Sequence, residues 1–402
     1  MGFVKDLFIK GIICVEEKNV CSECFEDYAI SEYVQENAVE AKCDYCSKSS
    51  EKTAIAAPLH EVVEFILEGI RYEWDDPANC VSWCSQEGGW VGATVINTYD
   101  LITDELDLGI QHDKLLADIA RSIVTQEWCP SDPYGPRPDD EMIYNWKMFA
   151  NQIKHHIRYV FFRASRRERK DTFDRQQPYA ILHRIGEIAN GLGLIKPLPS
   201  GTEFVRVRRS EKILRHTVKK LGPPPSTKAI NSNKMSPSGI PMFYGSLDEK
   251  TAMAETDDKA DKFKKFATVA TFKTVRPFKV LDLTTLPNFP SLFDKDKRHL
   301  RTPLIFLRSF LKDFSKPIKK DGREHIEYVP TQVVTEYFRH IFRDDSRDVV
   351  RGIIYPSSRR KTGKSCVLFF ENNHCAQDGV SSDSDDKWLT MMSSSVKTIR
   401  LR

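Results

Sequence analysis

No stretch of this 402-residue chain stays apolar long enough to cross a bilayer. The longest windows, Val62–Ile70 and Leu304–Phe310, are broken by charges well short of the ~20 residues a membrane helix needs. A leader core is missing too: Gly11–Val15 is too short, and no small-residue cleavage site follows it. A soluble, cytoplasmic protein is expected, with no membrane partner. Charge of one sign is also lacking. Lys and Arg number 60 against 57 Asp and Glu, a net +3, which gives no general attraction for polyanions, so nucleic acid is not an expected partner. Phosphate-cradling glycine motifs are missing as well. Gly191-Leu192-Gly193 lacks a third glycine and follows a helix rather than a strand, which excludes a Rossmann fingerprint, and no P-loop is present. Any nucleotide bound here is a substrate and not a resident redox cofactor.

Cysteine is sparse, 10 in 402 residues, too thin for a disulfide-stapled scaffold. It is clustered instead. Cys21-x2-Cys24 and Cys43-x2-Cys46 are two thiol pairs, each on a tight turn, separated by eighteen residues. Roughly a quarter of one such pair is expected by chance, so two at this separation point to a four-thiolate Zn²⁺ site. A closed site leaves no open position for substrate, which makes the zinc structural. A pair of redox disulfides is the competing assignment. Cys14 is read as a buried apolar residue, and Cys80, Cys84, Cys129, Cys366 and Cys375 as packing or surface thiols.

With 40% hydrophobic residues, the chain can build two or three cores. Residues 1–55 hold the cysteine pairs and end in a polar linker. Residues 56–199 show helical spacing: Leu59 to Ile70, Leu115 to Ile123, Ile143 to Val160, and Tyr179 to Leu192 before the Asn190-Gly191 stop. Pro197-Leu198-Pro199-Ser200-Gly201 then marks a change of period. Strand-like runs follow at Phe204–Val207, Ala267–Phe272, Phe278–Leu283, Val349–Tyr355 and Val367–Phe370, with one helical stretch at Pro330–Phe342. The expected fold is multidomain: a zinc knuckle (1–55), an all-α middle module (56–199), and an α+β domain with a mainly antiparallel sheet (200–375). A Ser- and Asp-rich polar tail (376–402) follows, whose last residues, Val396–Leu401, can return as an edge strand.

Four segments of the last domain each set a polar residue at the end of an apolar element. Phe204-Val205-Arg206-Val207-Arg208 places two arginines at one strand parity, and an arginine fork suits a pyrophosphate. Tyr244 follows Met242-Phe243. Glu255 closes the helical stretch Leu247–Glu255. Ser357 and Ser358 follow Tyr355-Pro356. Arginine, tyrosine, carboxylate and hydroxyl are a set that can grip an anionic nucleotide and stabilise a positively charged sugar beside it. An exposed strand arginine, a core tyrosine, a solvated helix glutamate and a turn-capping serine are the structural alternatives.

These segments, with Leu221-Gly222-Pro223-Pro224-Pro225, Met235–Pro241 and Thr251-Ala252-Met253-Ala254-Glu255, resemble the RES domain over about Gly201 to Phe370. The N-terminal half resembles the HEPN/RES N-terminal region. The resemblance implies an ADP-ribosyltransferase-like fold and NAD as substrate. It also implies a toxin or defence effector that destroys NAD by phosphorolysis with inorganic phosphate, held in check by a cognate antitoxin or regulator. It carries the family's arginine onto Arg206 and implies catalytic roles for Arg206, Tyr244, Glu255 and Ser357. Arg208, Lys234 and Ser358 are implied as substrate-binding residues. Two departures stand out. Val205 occupies a position where many relatives have an aromatic, and Lys234 replaces a frequent arginine, keeping the charge but losing the planar fork. Glycosidic cleavage of NAD passes through an oxocarbenium-like state, which a nearby carboxylate stabilises.

Transfer of ADP-ribose to a macromolecule needs the same residues, and a zinc-bearing scaffold without NAD turnover needs none of them. An RNase is disfavoured. The one Arg-x6-His spacing, Arg209 to His216, lies outside the helical region, and about two such matches arise by chance. The basic run Arg163–Lys170 and the pair His155-His156 are read as solvated surface.

Overall fold

A computed structural model describes residues 7, 10–13, 17–106, 108–134, 138–160, 180–257, 263–316, 322–379 and 386–401. Cys14, the basic run Arg163–Lys170 and Ser381–Asp385 lie outside the described residues. Among those described, no helix is long and apolar enough to cross a membrane. The chain divides into two compact units: residues 1–141 with 288–304, and residues 142–287 with 305–402.

The first unit is mainly helical. Strand β1 (Asn19–Cys21) pairs antiparallel with β2 (Ala56–Pro58). Helix α1 (Tyr28–Glu36) starts at Asp27, whose carboxylate accepts the amides of Ala29 and Ile30 at 2.9 and 3.1 Å, satisfying donors that a helix start otherwise leaves open. Helix α2 (Leu59–Glu73) buries Leu59, Val62, Val63, Ile66 and Ile70 along one stripe. Helix α3 (Asp113–Ser122) buries Leu115 and Ile119 against the same core. Short strands accompany the helices at Trp74–Asp75, Ile96–Asn97 and Glu127–Pro130, and at Ser82–Cys84 with Gly89–Val91.

Residues 288–304 complete this core from far along the chain. Leu292 and Phe293 are buried within it. The Phe293 ring lies over Gly69, so close that a Cβ there would fall 2.3 Å from a ring carbon. The Ser291 hydroxyl donates to Asp27 at 2.9 Å, and the Tyr28 phenol donates to Asp294 at 2.6 Å.

The second unit is built on one ten-stranded sheet. Its strands are β3 (Ile195–Leu198), β4 (Glu203–Ser210), β5 (Phe243–Ser246), β6 (Phe266–Thr274), β7 (Phe278–Asp282), β8 (Val350–Pro356), β9 (Lys364–Leu368), β10 (Cys375–Gln377), β11 (Leu389–Met391) and β12 (Lys397–Arg400). They lie in the order β10-β11-β6-β4-β5-β9-β8-β7-β3, with β12 also on β6. The sheet is mixed. Most pairs are antiparallel, but β7–β8 and β10–β11 are parallel. Residues 389–400 thus supply two strands, β11 and β12, from a segment whose composition reads as a polar tail.

Helices α4 (Pro138–His155), α5 (Ala180–Gly191), α6 (Glu249–Glu255), α7 (Arg301–Ser315) and α8 (Val329–Glu336) accompany the sheet. Trp146 and Phe149 of α4 pack with Ile181 and Ile185 of α5 and Phe306, Phe310 and Phe314 of α7. The Trp146 and Phe310 rings meet edge to face at 4.9 Å.

Candidate active site

The cleft forms where the sheet comes apart. β4 pairs with β6 over eight residues, from Glu203 opposite Lys273 to Ser210 opposite Phe266. Its other edge meets β5 at one pair only, Val205 opposite Ser246. Beyond that pair the two strands part, and their facing backbone groups need other partners. Arg206 supplies one of them. Its Nε donates to the Leu221 carbonyl at 2.9 Å and its Nη1 to the Tyr244 carbonyl of β5. The guanidinium also lies 5.3 Å from the centre of the Phe243 ring. Arg208, two residues on, donates to the Lys220 carbonyl at 2.8 Å.

The cleft encloses about 550 Å³. Among the described residues six cations line it, Arg206, Arg208, Lys228, Lys234, Lys316 and Arg359, against one carboxylate, Glu255. Burial, then repulsion from Arg208, brings Arg206 down to about 10, which leaves it cationic at neutral pH. Burial likewise pulls Lys234 down to about 8, against the opposing attraction of Glu255. Its Nζ donates to the Lys316 carbonyl at 3.1 Å.

Glu255 ends α6, a helix capped by Asp248, which accepts the Thr251 amide at 2.9 Å. The β8–β9 turn passes close to α6 at Gly363, where a Cβ would lie 2.5 Å from the Thr251 hydroxyl oxygen. That close approach brings Ser357 to Glu255. The Ser357 hydroxyl donates to Oε1 of Glu255 and accepts the amides of Arg359 and Arg360 at 3.1 and 3.2 Å. Ser365, on β9, donates to the same Oε1 at 3.3 Å.

Tyr244 points from β5 into the cleft wall, its phenol 2.9 Å from the Ser236 hydroxyl. Burial raises it above the usual phenol range. Tyr355 is raised too, by burial and then by its neighbours Tyr244 and Glu255.

Arg206, Arg208, Lys234, Tyr244, Glu255 and Ser358 therefore share one cleft. Ser357 is different: it is 8% exposed and contacts Glu255 rather than forming the wall, while Ser358 is exposed and does form it. Sequence reasoning passed over Ser236, Ser315, Tyr328, Tyr355 and Ser365. Ser236 and Tyr355 stand inside segments that carry the family resemblance, and Ser365 is a hydroxyl near the start of a mostly apolar strand. Ser315 lines the cleft with a buried hydroxyl oxygen that has no partner among the described residues.

The cysteine cluster belongs to the first unit. The sulfurs of Cys21, Cys24, Cys43 and Cys46 all lie within 4.8 Å of one another. Cys21 is 3.7 Å from Cys24 and 3.3 Å from Cys46, and Cys24 is 3.7 Å from Cys43. A tetrahedral zinc with ~2.3 Å bonds sets sulfurs about 3.8 Å apart, so the cluster is compatible with that ion. Burial lifts the Cys21 thiol to about 11. At Cys43 burial raises the thiol too, but the amides of Cys46, Tyr45 and Cys21 outweigh it and bring it down to about 7. Two of those amides are 3.4 Å from the Cys43 sulfur, a preformed thiolate cradle.

The second unit is thus an α+β domain with a cationic cleft opened between two strands of its sheet. Family comparison gives it a place. HEPN/RES N-terminal domain 1 matches residues 36–167, and the RES domain matches residues 204–391. The chain belongs to the RES-domain family, with an N-terminal HEPN/RES region ahead of the RES domain. RES domains are associated with NAD-processing enzymes and with toxin activity. No curated protein and no solved structure gives a match.

Proposed function

We propose that this protein cleaves NAD at the bond between nicotinamide and ribose, as a phosphorylase. A phosphate oxygen forms a bond to the anomeric carbon as the carbon–nitrogen bond breaks. The bond's electron pair leaves with nicotinamide and neutralises its ring. The products are nicotinamide and ADP-ribose-1″-phosphate. The observation that carries this reading is the arrangement, among the described residues, of one carboxylate with six cations in one cleft. The cations suit the pyrophosphate and an incoming phosphate. Glu255 suits the ribosyl cation that develops between them.

Arg206 and Arg208 hold the pyrophosphate, with Arg206 already fixed by its two carbonyl contacts. Lys234 adds a second phosphate contact. Tyr244 packs on the nicotinamide end, and Ser358 meets the ribose hydroxyls. In the first unit, Cys21, Cys24, Cys43 and Cys46 hold a structural zinc, which ties β1 to the following knuckle and supplies no chemistry to the reaction. A toxin role and an antitoxin partner follow from the family association.

The test is to incubate the protein with NAD, with and without phosphate, and to identify the products. Nicotinamide with ADP-ribose-1″-phosphate supports the reading. A labelled macromolecule points to ADP-ribosyl transfer, and no NAD loss refutes turnover altogether. Glu255→Gln keeps an oxygen to accept from both serines and removes only the charge. One unit charge at ~4 Å in an effective dielectric of ~20 is worth about 4 kcal/mol, so kcat should fall roughly 1000-fold. A loss below tenfold removes Glu255 from that role.

A further inference from the structure

We propose that Ser365, together with Ser357, is a positioning residue that clamps one oxygen of Glu255 and leaves the other as the cleft's point of negative charge. This inference rests on the NAD reading given above. Three observations carry it. First, the Ser357 hydroxyl has no freedom. Two backbone amides, of Arg359 and Arg360, occupy its acceptor sites at 3.1 and 3.2 Å, so its proton can only be donated onward. It goes to Oε1 of Glu255.

Second, Ser365 donates to the same oxygen from a different strand. It is 2% exposed and sits between Ser246 of β5 and Tyr355 of β8 in the sheet register. The Ser246 hydroxyl lies 3.4 Å from that of Ser365. A chain of donors, Ser246 to Ser365 to Glu255, orients the Ser365 proton toward the carboxylate. Third, among the described residues no hydrogen bond reaches Oε2. Two donors on one oxygen fix the carboxylate plane, and Glu255 lines the cleft with its other oxygen free of hydrogen bonds from the described residues.

The arrangement solves a specific problem. A glutamate at the end of a seven-residue helix has three side-chain torsions to immobilise. Donors on both oxygens would hold it but would also spread and neutralise its charge. Donors on one oxygen hold it and keep the other available for a transition-state contact. Ser365 lies at the floor of the cleft, 2% exposed, with its hydroxyl turned to Glu255, and its effect on turnover is assigned to that contact.

The experiment compares wild type with Ser365→Ala, Ser365→Thr, Glu255→Gln and the double variant Ser365→Ala/Glu255→Gln. Rates of nicotinamide release, NAD affinity by calorimetry, and the ¹³C resonance of the Glu255 carboxyl at pH 7 are measured for each. Ser365→Ala should lower kcat about tenfold or more, the effect of one hydrogen bond to a charged group. NAD affinity should stay within twofold. Ser365→Thr, which keeps the hydroxyl and suits a strand, should recover most of the rate. In the Glu255→Gln background, loss of Ser365 should cost nothing further, because the two act as a unit. A loss of affinity equal to the loss of kcat, no recovery with threonine, or an additive loss in the double variant overturns the proposal.

If wild type consumes no NAD, the functional reading falls. The clamp is then decided by the carboxyl resonance alone. It should shift in Ser365→Ala and return in Ser365→Thr, and an unmoved resonance refutes the clamp.

Discussion

Raising the pH should weaken NAD binding through Lys234. Burial has brought this lysine down to about 8, with Glu255 pulling the other way. The ammonium is the form present at pH 7, and it is lost as the pH rises through 8. On the proposed reading the ammonium contacts a phosphate of NAD, a charge-assisted bond worth about 1.5–3 kcal/mol. If only the protonated enzyme binds tightly, apparent KM scales as one plus the ratio of the lysine acid constant to the proton concentration. That factor is about 1.1 at pH 7, about 2 at pH 8 and about 11 at pH 9. A tenfold weakening between pH 7 and 9 corresponds to ~1.4 kcal/mol, which the contact can supply. NAD binding should also take up a proton over the same range, because the anion favours the charged amine. The assay is the initial rate of nicotinamide release from pH 6.5 to 9.5 at saturating phosphate. Lys234→Met should give a weak and pH-independent KM, and Lys234→Arg a tight and pH-independent one, with kcat little changed in either. A wild-type KM that stays flat to pH 9, or the same rise in Lys234→Met, refutes the reasoning.

Other tests address the scaffold. Gly69→Ala should destabilise the first unit by about 1–3 kcal/mol, because the new methyl meets the buried Phe293 ring. A helix-interior glycine replaced by alanine ordinarily stabilises, so a raised Tm contradicts the packing described. Combining it with Phe293→Ala should cost less than the sum of the two changes, measured by urea unfolding. Elemental analysis should find one zinc per chain, and Cys43→Ser should abolish it and lower Tm. Chelation of the wild type should do the same, and a chain that melts identically with and without chelator has no structural ion.

Much of the second unit was legible because its strands carry their period plainly. Phe204–Val207 lies within β4, Ala267–Phe272 within β6, and Phe278–Leu283 and Val349–Tyr355 overlap β7 and β8. The cysteine spacing likewise pointed to four sulfurs that do meet. The sequence was silent where placement depends on distant partners. Helix α7 has no counterpart among the helical spacings of the sequence analysis, although Phe306, Phe310 and Phe314 stand four apart on its buried side. The short strands of the first unit gave no period to read at two to four residues each. In the cleft, Arg206, Arg208, Lys234 and Glu255 could be picked out by charge and motif together, whereas Lys228, Lys316 and Arg359 carry charge without a motif and Ser365 matters through the group it faces. Ser357 shows the same limit from the other side. Its motif is visible, but its contact with Glu255 depends on a turn passing α6 at Gly363.

Residues 288–304 give the biosynthesis of this chain an unusual order. Leu292 and Phe293 fill the interior of the unit that begins at the N-terminus, so a ribosome must deliver nearly three-quarters of the polypeptide before that unit can seal. Until then α2 holds an open seat at Gly69, and the growing chain carries an apolar face that invites chaperones. A fragment cut after residue 141 keeps its thiol cluster yet lacks its plug, and should be recovered only when the missing peptide is supplied.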